Sequence, residues 1–234
     1  VKTKFIFDVD GTLTPSRGHI NLDFAMWFSD FCLTNDVYLV TGSDKPKTVE
    51  QIGEDIYNKC KRVYQCSGSD VWQGSKHIKS VTWKPTMPVK AWLEDKLEES
   101  SFLLRTGLHI EERQGMVNFS IVGRNATHEE RAMYVKYDTA HNERNYIAEL
   151  FNREFPTLIA RPGGETGIDI SPAGNDKSQI IYDFDINDTL HFYGDRMDLQ
   201  GNDYPLKKVL WERGNSSTHE VKDWQQTWEL LKCI

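Results

Sequence analysis

The 234 residues carry 28 lysines and arginines against 35 aspartates and glutamates, a net charge of −7, and twelve per cent of them are aromatic, seven tryptophans included. A chain of this length buries a real core and does not read as disordered, and its acidic balance without a long basic run argues against nucleic-acid binding. The four cysteines, Cys32, Cys60, Cys66 and Cys233, show no paired metal-ligand spacing, so reduced thiols in a cytoplasm are expected. The charged start and the three-residue apolar run before Asp8 predict neither a signal peptide nor a membrane-spanning helix.

Phe5-Ile6-Phe7 reads as a buried strand running into Asp8 and a Gly11-Thr12 turn. Phe24, Phe28 and Phe31 follow at helical spacing behind an Asn21 cap. Residues 37–40 form a second strand ending in Thr41-Gly42-Ser43, residues 48–59 read as one continuing helix, and Val63-Tyr64 is a third apolar run. The first seventy residues therefore look like the opening of a parallel α/β sheet.

The rhythm changes near Val81, where Pro85 and Pro88 precede a helical stretch over 89–97. Residues 108–122 suit a hairpin turning at Gln114-Gly115, with Val117 and Phe119 alternating with polar neighbours. Thr127-His128-Glu129-Glu130 opens a long helical region with a capping-box pattern. Ile168-Asp169-Ile170 is a further strand, and residues 190–193 make the last core strand, ending at Gly194-Asp195. The expected organisation is a core of residues 1–81 and 181–234 interrupted by an inserted cap domain over 82–180.

Asp8 and Asp10, followed by Gly11, stand at the end of the first strand, where open α/β sheets place their chemistry. Two carboxylates so close need compensation. A divalent cation relieves their repulsion and leaves one as an oxygen nucleophile and the other to handle a proton. Taken alone, Asp-x-Asp-Gly also fits a solvated acidic turn or a calcium loop. Thr41 and Gly42 offer a hydroxyl and a backbone N–H to phosphate oxygens, Lys177 offers a neutralising charge, and Asp195 with Asn202 and Asp203 offers oxygen ligands beside another strand end.

In this order the residues resemble the four motifs of the haloacid dehalogenase superfamily: Asp-x-Asp, Thr, Lys and Gly-Asp…Asn-Asp. The resemblance implies Asp8 as nucleophile, Asp10 as acid/base, Thr41 as phosphate ligand and Lys177 as charge-balancing lysine. It also implies magnesium held by Asp8, the Asp10 backbone carbonyl and Asp195, with Asn202 and Asp203 close by. The implied fold is α/β, a Rossmann-like parallel-sheet core with an inserted α/β cap.

Residues 7–17, Phe7-Asp8-Val9-Asp10-Gly11-Thr12-Leu13-Thr14-Pro15-Ser16-Arg17, resemble the opening of eukaryotic-type phosphomannomutases. The runs from Arg113 to Asn118, Gly123 to Asn125 and Glu129 to Arg131 are similar to that family's sugar-phosphate-binding cap, and Gly163-Gly164, Asp169, Pro172, Gly174 and Asp176-Lys177 continue the likeness. The residues assigned to substrate are Arg17, Gly42, Arg113, Arg124, Arg131 and Asp169, the arginines as planar donors around a distal phosphate. The implied activity is a magnesium-dependent hexose-phosphate phosphomutase working through an aspartyl phosphate, with a hexose 1,6-bisphosphate as activator and homodimerisation through the cap. A sugar-phosphate phosphatase is the alternative, and a noncatalytic sugar-phosphate-binding protein the alternative of another class. Two positions and the tail depart from the family: Gly167 stands where it has a sugar-contacting serine, Thr41 where it usually has glycine, and the tail from Leu206 onward differs, with Lys207 and Val209 where the family places an additional ion-binding loop. No second metal site is assigned.

Overall fold

Along β1 (Thr3–Phe7) successive side chains leave opposite faces of the strand, and both faces are covered. Phe5 and Phe7 enter one core with Val37, Leu39 and Val63; Ile6 enters another with Val40, Tyr64, Leu190 and Phe192. Burial on two sides is the condition of a parallel sheet, because crossover helices pack on both faces. The computed structural model, which describes residues 2–234, has such a sheet, in the order β11 (Ser216–Glu220), β10 (Thr189–Gly194), β1, β2 (Asp36–Val40), β3 (Arg62–Gln65), β4 (Asp70–Gln73), β5 (Lys76–Ser80). Pairing is parallel from β11 to β3 and antiparallel at β4 and β5.

The edge strands β4 and β5 were not expected: β5 is exposed along its whole length and presents no apolar run to read. Helix α1 (Leu22–Thr34) starts as expected, the Asn21 side chain accepting the N–H groups of Asp23 and Phe24, and buries Phe24, Phe28 and Cys32. The single helix expected over 48–59 is two. α2 (Lys45–Ile52) begins earlier, capped by Asp44, and Gly53, at φ 80°, turns the chain into α3 (Glu54–Lys59). Later, α7 (Tyr204–Arg213) buries Leu206 and Leu210 beside β10, and α8 (Trp224–Leu231) brings Trp224 and Trp228 onto Phe24.

The chain divides into two compact units, Val1–Val81 with Gly174–Ile234, and Thr82–Ala173. Residues 174–180, placed with the cap on sequence grounds, belong to the first unit. Their 3₁₀ turn (Lys177–Asp183) buries Lys177 and Ile180, Ile180 joins the core of Leu190 and Leu206, and Gln179 Nε2 donates to the Ser67 carbonyl at 2.8 Å. Pro172 and Gly174 thus stand at the crossing between units.

The second unit holds α4 (Met87–Glu99), β6 (Ile110–Arg113), β7 (Met116–Ser120), α5 (His128–His141), α6 (Glu143–Glu154), β8 (Leu158–Gly163) and β9 (Gly167–Pro172). Its sheet is antiparallel, in the order β6-β7-β9-β8. One face, with Val117, Phe119, Ala160, Ile168 and Ile170, packs on Val89, Leu93, Tyr134, Ile147 and Phe151 from the helices. The opposite face carries Glu111, Asn118, Asp169 and Arg161, aligned in register across all four strands. The Thr127 capping box forms as expected, but the long helical region breaks at Asn142, in the left-handed region at φ 55°. Among the described residues no helix is long and apolar enough to cross a membrane.

Candidate active site

The carboxyl ends of β1, β2 and β10 lie side by side, and Asp8, Thr41 and Asp195 follow directly from them. Asp8 extends the ladder, its N–H donating to the Tyr193 carbonyl at 2.9 Å, and the residue is 4 % exposed. Gly11 follows at φ 78°, and a Cβ there would lie 2.4 Å from Asp195 Oδ2, so the glycine is the space the Asp195 carboxylate occupies. Lys177 reaches in from the 3₁₀ turn; its Nζ donates to Asp8 Oδ1 and to Asp203 Oδ1, both at 2.7 Å. Asp203 Oδ2 also accepts the Arg196 N–H at 3.1 Å.

Asp8, Asp195 and Asp203 each offer an oxygen within 4.8 Å of the others. One ammonium therefore bridges two of three neighbouring carboxylates. Burial pushes Asp8 well above the usual carboxylate range, with Asp203 and Asp195 adding to the rise and Lys177 opposing it. Asp195 is pushed up to about 7, by burial first and then by Asp203. For Lys177 burial acts downward, but Asp203 and Asp8 outweigh it and hold the group above the ordinary lysine value, so it stays charged. The cluster is short of positive charge. Asn202 adds a buried Oδ1 with no hydrogen-bond partner. A compact set of three carboxylates with one bridging lysine suits a hard divalent cation, and magnesium fits these donors.

Asp10 faces other partners. Its Oδ1 accepts the Arg17 N–H at 2.5 Å and Gln51 Nε2 at 2.8 Å, and its Oδ2 accepts from Ser43 Oγ at 3.4 Å. Arg17 itself is held in the left-handed region at φ 57°, with its carbonyl accepting from Lys47 Nζ at 3.3 Å. Thr41 is buried, its hydroxyl accepting the Ser43 N–H at 3.1 Å and its carbonyl the Ser67 N–H at 2.8 Å; Gly42 follows it at the end of β2. Gln51 and Ser43 were not singled out from the sequence. The one available signal was a glutamine on the buried side of α2, between Thr48 and Ile52.

In the second unit, Glu111 gathers two of the three arginines expected at the substrate. Its Oε2 accepts from Arg113 Nε at 2.9 Å, and its Oε1 lies 3.1 Å from Arg124 Nε. Arg131, only 5 % exposed, is anchored instead at the turn before β9, with its terminal nitrogens donating to Glu165 Oε2 at 2.9 Å and Thr166 Oγ1 at 3.3 Å. Asp169 Oδ1 accepts from Asn118 Nδ2 at 2.7 Å. Glu111 and Asn118 were also missed as partners; the Asn118–Asp169 pairing runs across strands, and Glu111 meets an arginine outside its own strand, Arg124.

Comparison with known proteins gives relatives in sequence and in fold. A sequence model described as eukaryotic phosphomannomutase matches residues 29–234. The phosphomannomutase of Galdieria sulphuraria is 32% identical over 97% of this chain and 95% of its own length, and that of Saccharomyces cerevisiae is 30% identical over 88% and 85%. A haloacid dehalogenase-like hydrolase from Bacteroides thetaiotaomicron, 11% identical, superposes over the whole of both chains with a TM-score of 0.56, a likeness of fold. With an Asp-x-Asp strand end, a buried lysine bridging two aspartates, and relatives aligned along nearly its full length, the chain belongs to the eukaryotic phosphomannomutase family.

Proposed function

We propose that the chain is a magnesium-dependent hexose-phosphate phosphomutase of the phosphomannomutase type, working through a phosphorylated Asp8. The observation that carries this reading is the division of charge between the units: a buried carboxylate cluster short of positive charge in one, and three arginines on the other. Half of a bisphosphate is recognised by each kind of site.

Asp8 is the nucleophile. Phospho-Asp8 gives its phosphoryl group to the free hydroxyl of a hexose 1-phosphate while Asp10 takes the hydroxyl proton, and hexose 1,6-bisphosphate results. After the bisphosphate turns round, Asp8 attacks the phosphorus at the 1-position, the C1 oxygen leaves with the proton from Asp10, and hexose 6-phosphate is released. Arg17, through its N–H, Gln51 and Ser43 orient the Asp10 carboxylate for both transfers. Lys177 balances the charge that gathers at Asp8. Magnesium, held by Asp8, Asp195 and the Asp10 carbonyl with Asn202 and Asp203 beside it, supplies electrostatic stabilisation of the phosphoryl group in transfer. Thr41 and Gly42 offer a hydroxyl and an N–H to the phosphoryl oxygens, and Arg113, Arg124 and Arg131 hold the second phosphate.

Phosphorus NMR tests the reading. With mannose 1-phosphate or glucose 1-phosphate, magnesium and a catalytic amount of hexose 1,6-bisphosphate, the 6-phosphate should form faster than inorganic phosphate. Dominance of inorganic phosphate across a hexose panel, activator present, replaces the mutase with a phosphatase.

A further inference from the structure

Residues 15–20, between the Asp10 turn and α1, are fastened to α2 at three points. Lys47 Nζ donates to the Arg17 carbonyl at 3.3 Å, the His19 ring Nδ1 lies 2.9 Å from the Glu50 carbonyl, and the Ile20 N–H donates to the Gln51 carbonyl at 2.8 Å. The last two fastenings use carbonyls of the final turn of α2, where a helix offers them no partner of its own. They tie down the far end of the segment. The Lys47 contact differs from them, because the residue that it holds is the one that reaches Asp10.

Arg17 is gripped at both ends of its backbone. Its N–H donates to Asp10 Oδ1 at 2.5 Å and its carbonyl accepts from Lys47. Between the two it stands at φ 57°, in the left-handed region that a residue with a Cβ keeps only where its surroundings hold it. Lys47 is a firm anchor for this purpose. It is the third residue of α2, its own N–H is capped by Asp44 Oδ1 at 3.0 Å, its ammonium is steadied by Glu50 Oε2 at 3.2 Å, and its side chain is 19 % exposed. Four residues on, along the same face of α2, Gln51 Nε2 donates to the same Asp10 Oδ1 at 2.8 Å. Both donors on that oxygen are thus set by one helix, Gln51 directly and the Arg17 N–H through Lys47.

We infer that Lys47 is a positioning residue for the acid/base step: its ammonium holds the left-handed Arg17 so that the Arg17 N–H aims the Asp10 carboxylate at the oxygen that gains or loses a proton. The inference rests on the proposed function and adds to it a residue to which that reading gives no contact with substrate or metal. Without the ammonium, Arg17 can relax out of the left-handed region and withdraw its N–H, and Asp10 Oδ1 keeps Gln51 alone. The loss then falls where proton transfer matters. An alkoxide needs the Asp10 proton as its bond to phosphorus breaks, whereas p-nitrophenolate leaves without one.

The test is kcat/KM on p-nitrophenyl, phenyl and benzyl phosphate, whose leaving groups rise in basicity in that order, for the parent, Lys47→Met, Lys47→Arg and Asp10→Asn, with thermal melts to confirm folding. On these esters kcat/KM reports the transfer to Asp8. Lys47→Met should stay within about twofold of the parent on p-nitrophenyl phosphate and lose about 10-fold on benzyl phosphate, a part of the roughly 100-fold or more that a positioned acid supplies. Asp10→Asn should show the same selectivity, more steeply, and Lys47→Arg, which keeps a charged donor, should follow the parent. In Lys47→Met the Arg17 amide should also exchange with solvent about 10-fold faster than in the parent, read by NMR. If Lys47→Met does not fold, Lys47→Leu takes its place under the same criteria. A loss spread evenly over the three esters in the Lys47 variant, no loss on any of them, or a Lys47→Arg indistinguishable from Lys47→Met overturns the inference, and a selective loss in Asp10→Asn then leaves the proposed function standing. An even loss in Asp10→Asn, or a parent that cleaves none of the esters, overturns the proposed acid/base chemistry and this inference with it.

Discussion

The two charged regions of the molecule are built on opposite plans. In the first unit, Asp8, Asp195 and Asp203 lie together with one lysine bridging Asp8 and Asp203, and burial first, then repulsion among the carboxylates, raises Asp8 and Asp195. In the second, Arg113, Arg124 and Arg131 each already have a carboxylate, Glu111 for Arg113 and Arg124 and Glu165 for Arg131. A cation entering the first region relieves a repulsion that is already present; a phosphate entering the second must share or displace a carboxylate. Strong binding and strong pH dependence belong to the first plan, and readily reversed binding to the second. A mutase needs both, since a bisphosphate has to turn round between half-reactions.

The largest effect expected from breaking this contrast is at Asp8. Asp8→Asn should cost on the order of 10⁴-fold in turnover and abolish the phosphoenzyme, because an amide is a poor nucleophile. Phosphoprotein mass spectrometry on parent and variant checks it, and an adduct at any other residue contradicts the assignment. Next comes the lysine on which the cluster depends. Lys177→Met leaves Asp8 and Asp203 buried without their shared cation and should destabilise the fold by about 3–5 kcal/mol, read from chemical denaturation. A change below about 1 kcal/mol would mean that the cluster is not held by that charge.

In the second unit the losses should be smaller and selective. Arg124→Ala and Arg131→Ala should lower the use of hexose bisphosphate by roughly 10- to 100-fold, the range for one charge-assisted hydrogen-bonding group, and barely alter hydrolysis of a small aryl phosphate. Equal losses on both substrates, with folding intact, would remove the distal-phosphate role.

The smallest effect sharpens the comparison through pH. A carboxyl held near 7 in the folded chain ionises at lower pH once unfolded, so its ionisation favours the unfolded state as pH rises from about 4 to 7, and the penalty then stays constant. In metal-free protein the melting temperature of the parent should therefore fall relative to Asp195→Asn across that window, by a few degrees. Millimolar magnesium should close the gap, since it binds the native cluster only. A gap that is constant from pH 4 to pH 8 would deny Asp195 its raised position.

Local patterns made some of this molecule readable in advance. The apolar run ending at Asp8, the Asn21 and Thr127 caps and the Gln114-Gly115 turn depend on residues a few positions apart, and each forms where the sequence points. The placing of Asp8, Thr41 and Asp195 at strand ends was legible as well, since each follows a buried apolar run. Other features had no local signal. Edge strands β4 and β5 exist because β3 offers them an edge, and residues 174–180 join the first unit because Lys177 meets Asp8 across 169 positions of chain. Gln51 reaches Asp10 only after α2 has packed, and Asn118 finds Gly167 and Asp169 only once β7 and β9 have paired. By itself the sequence determined where the strands end, how the helices start and which reactive groups stand there, because propensity, capping and turn geometry act over a few residues. The tertiary structure alone decided which of those groups share charge and which glycines make room for them, because burial and electrostatic pairing depend on distances in space that spacing along the chain does not set.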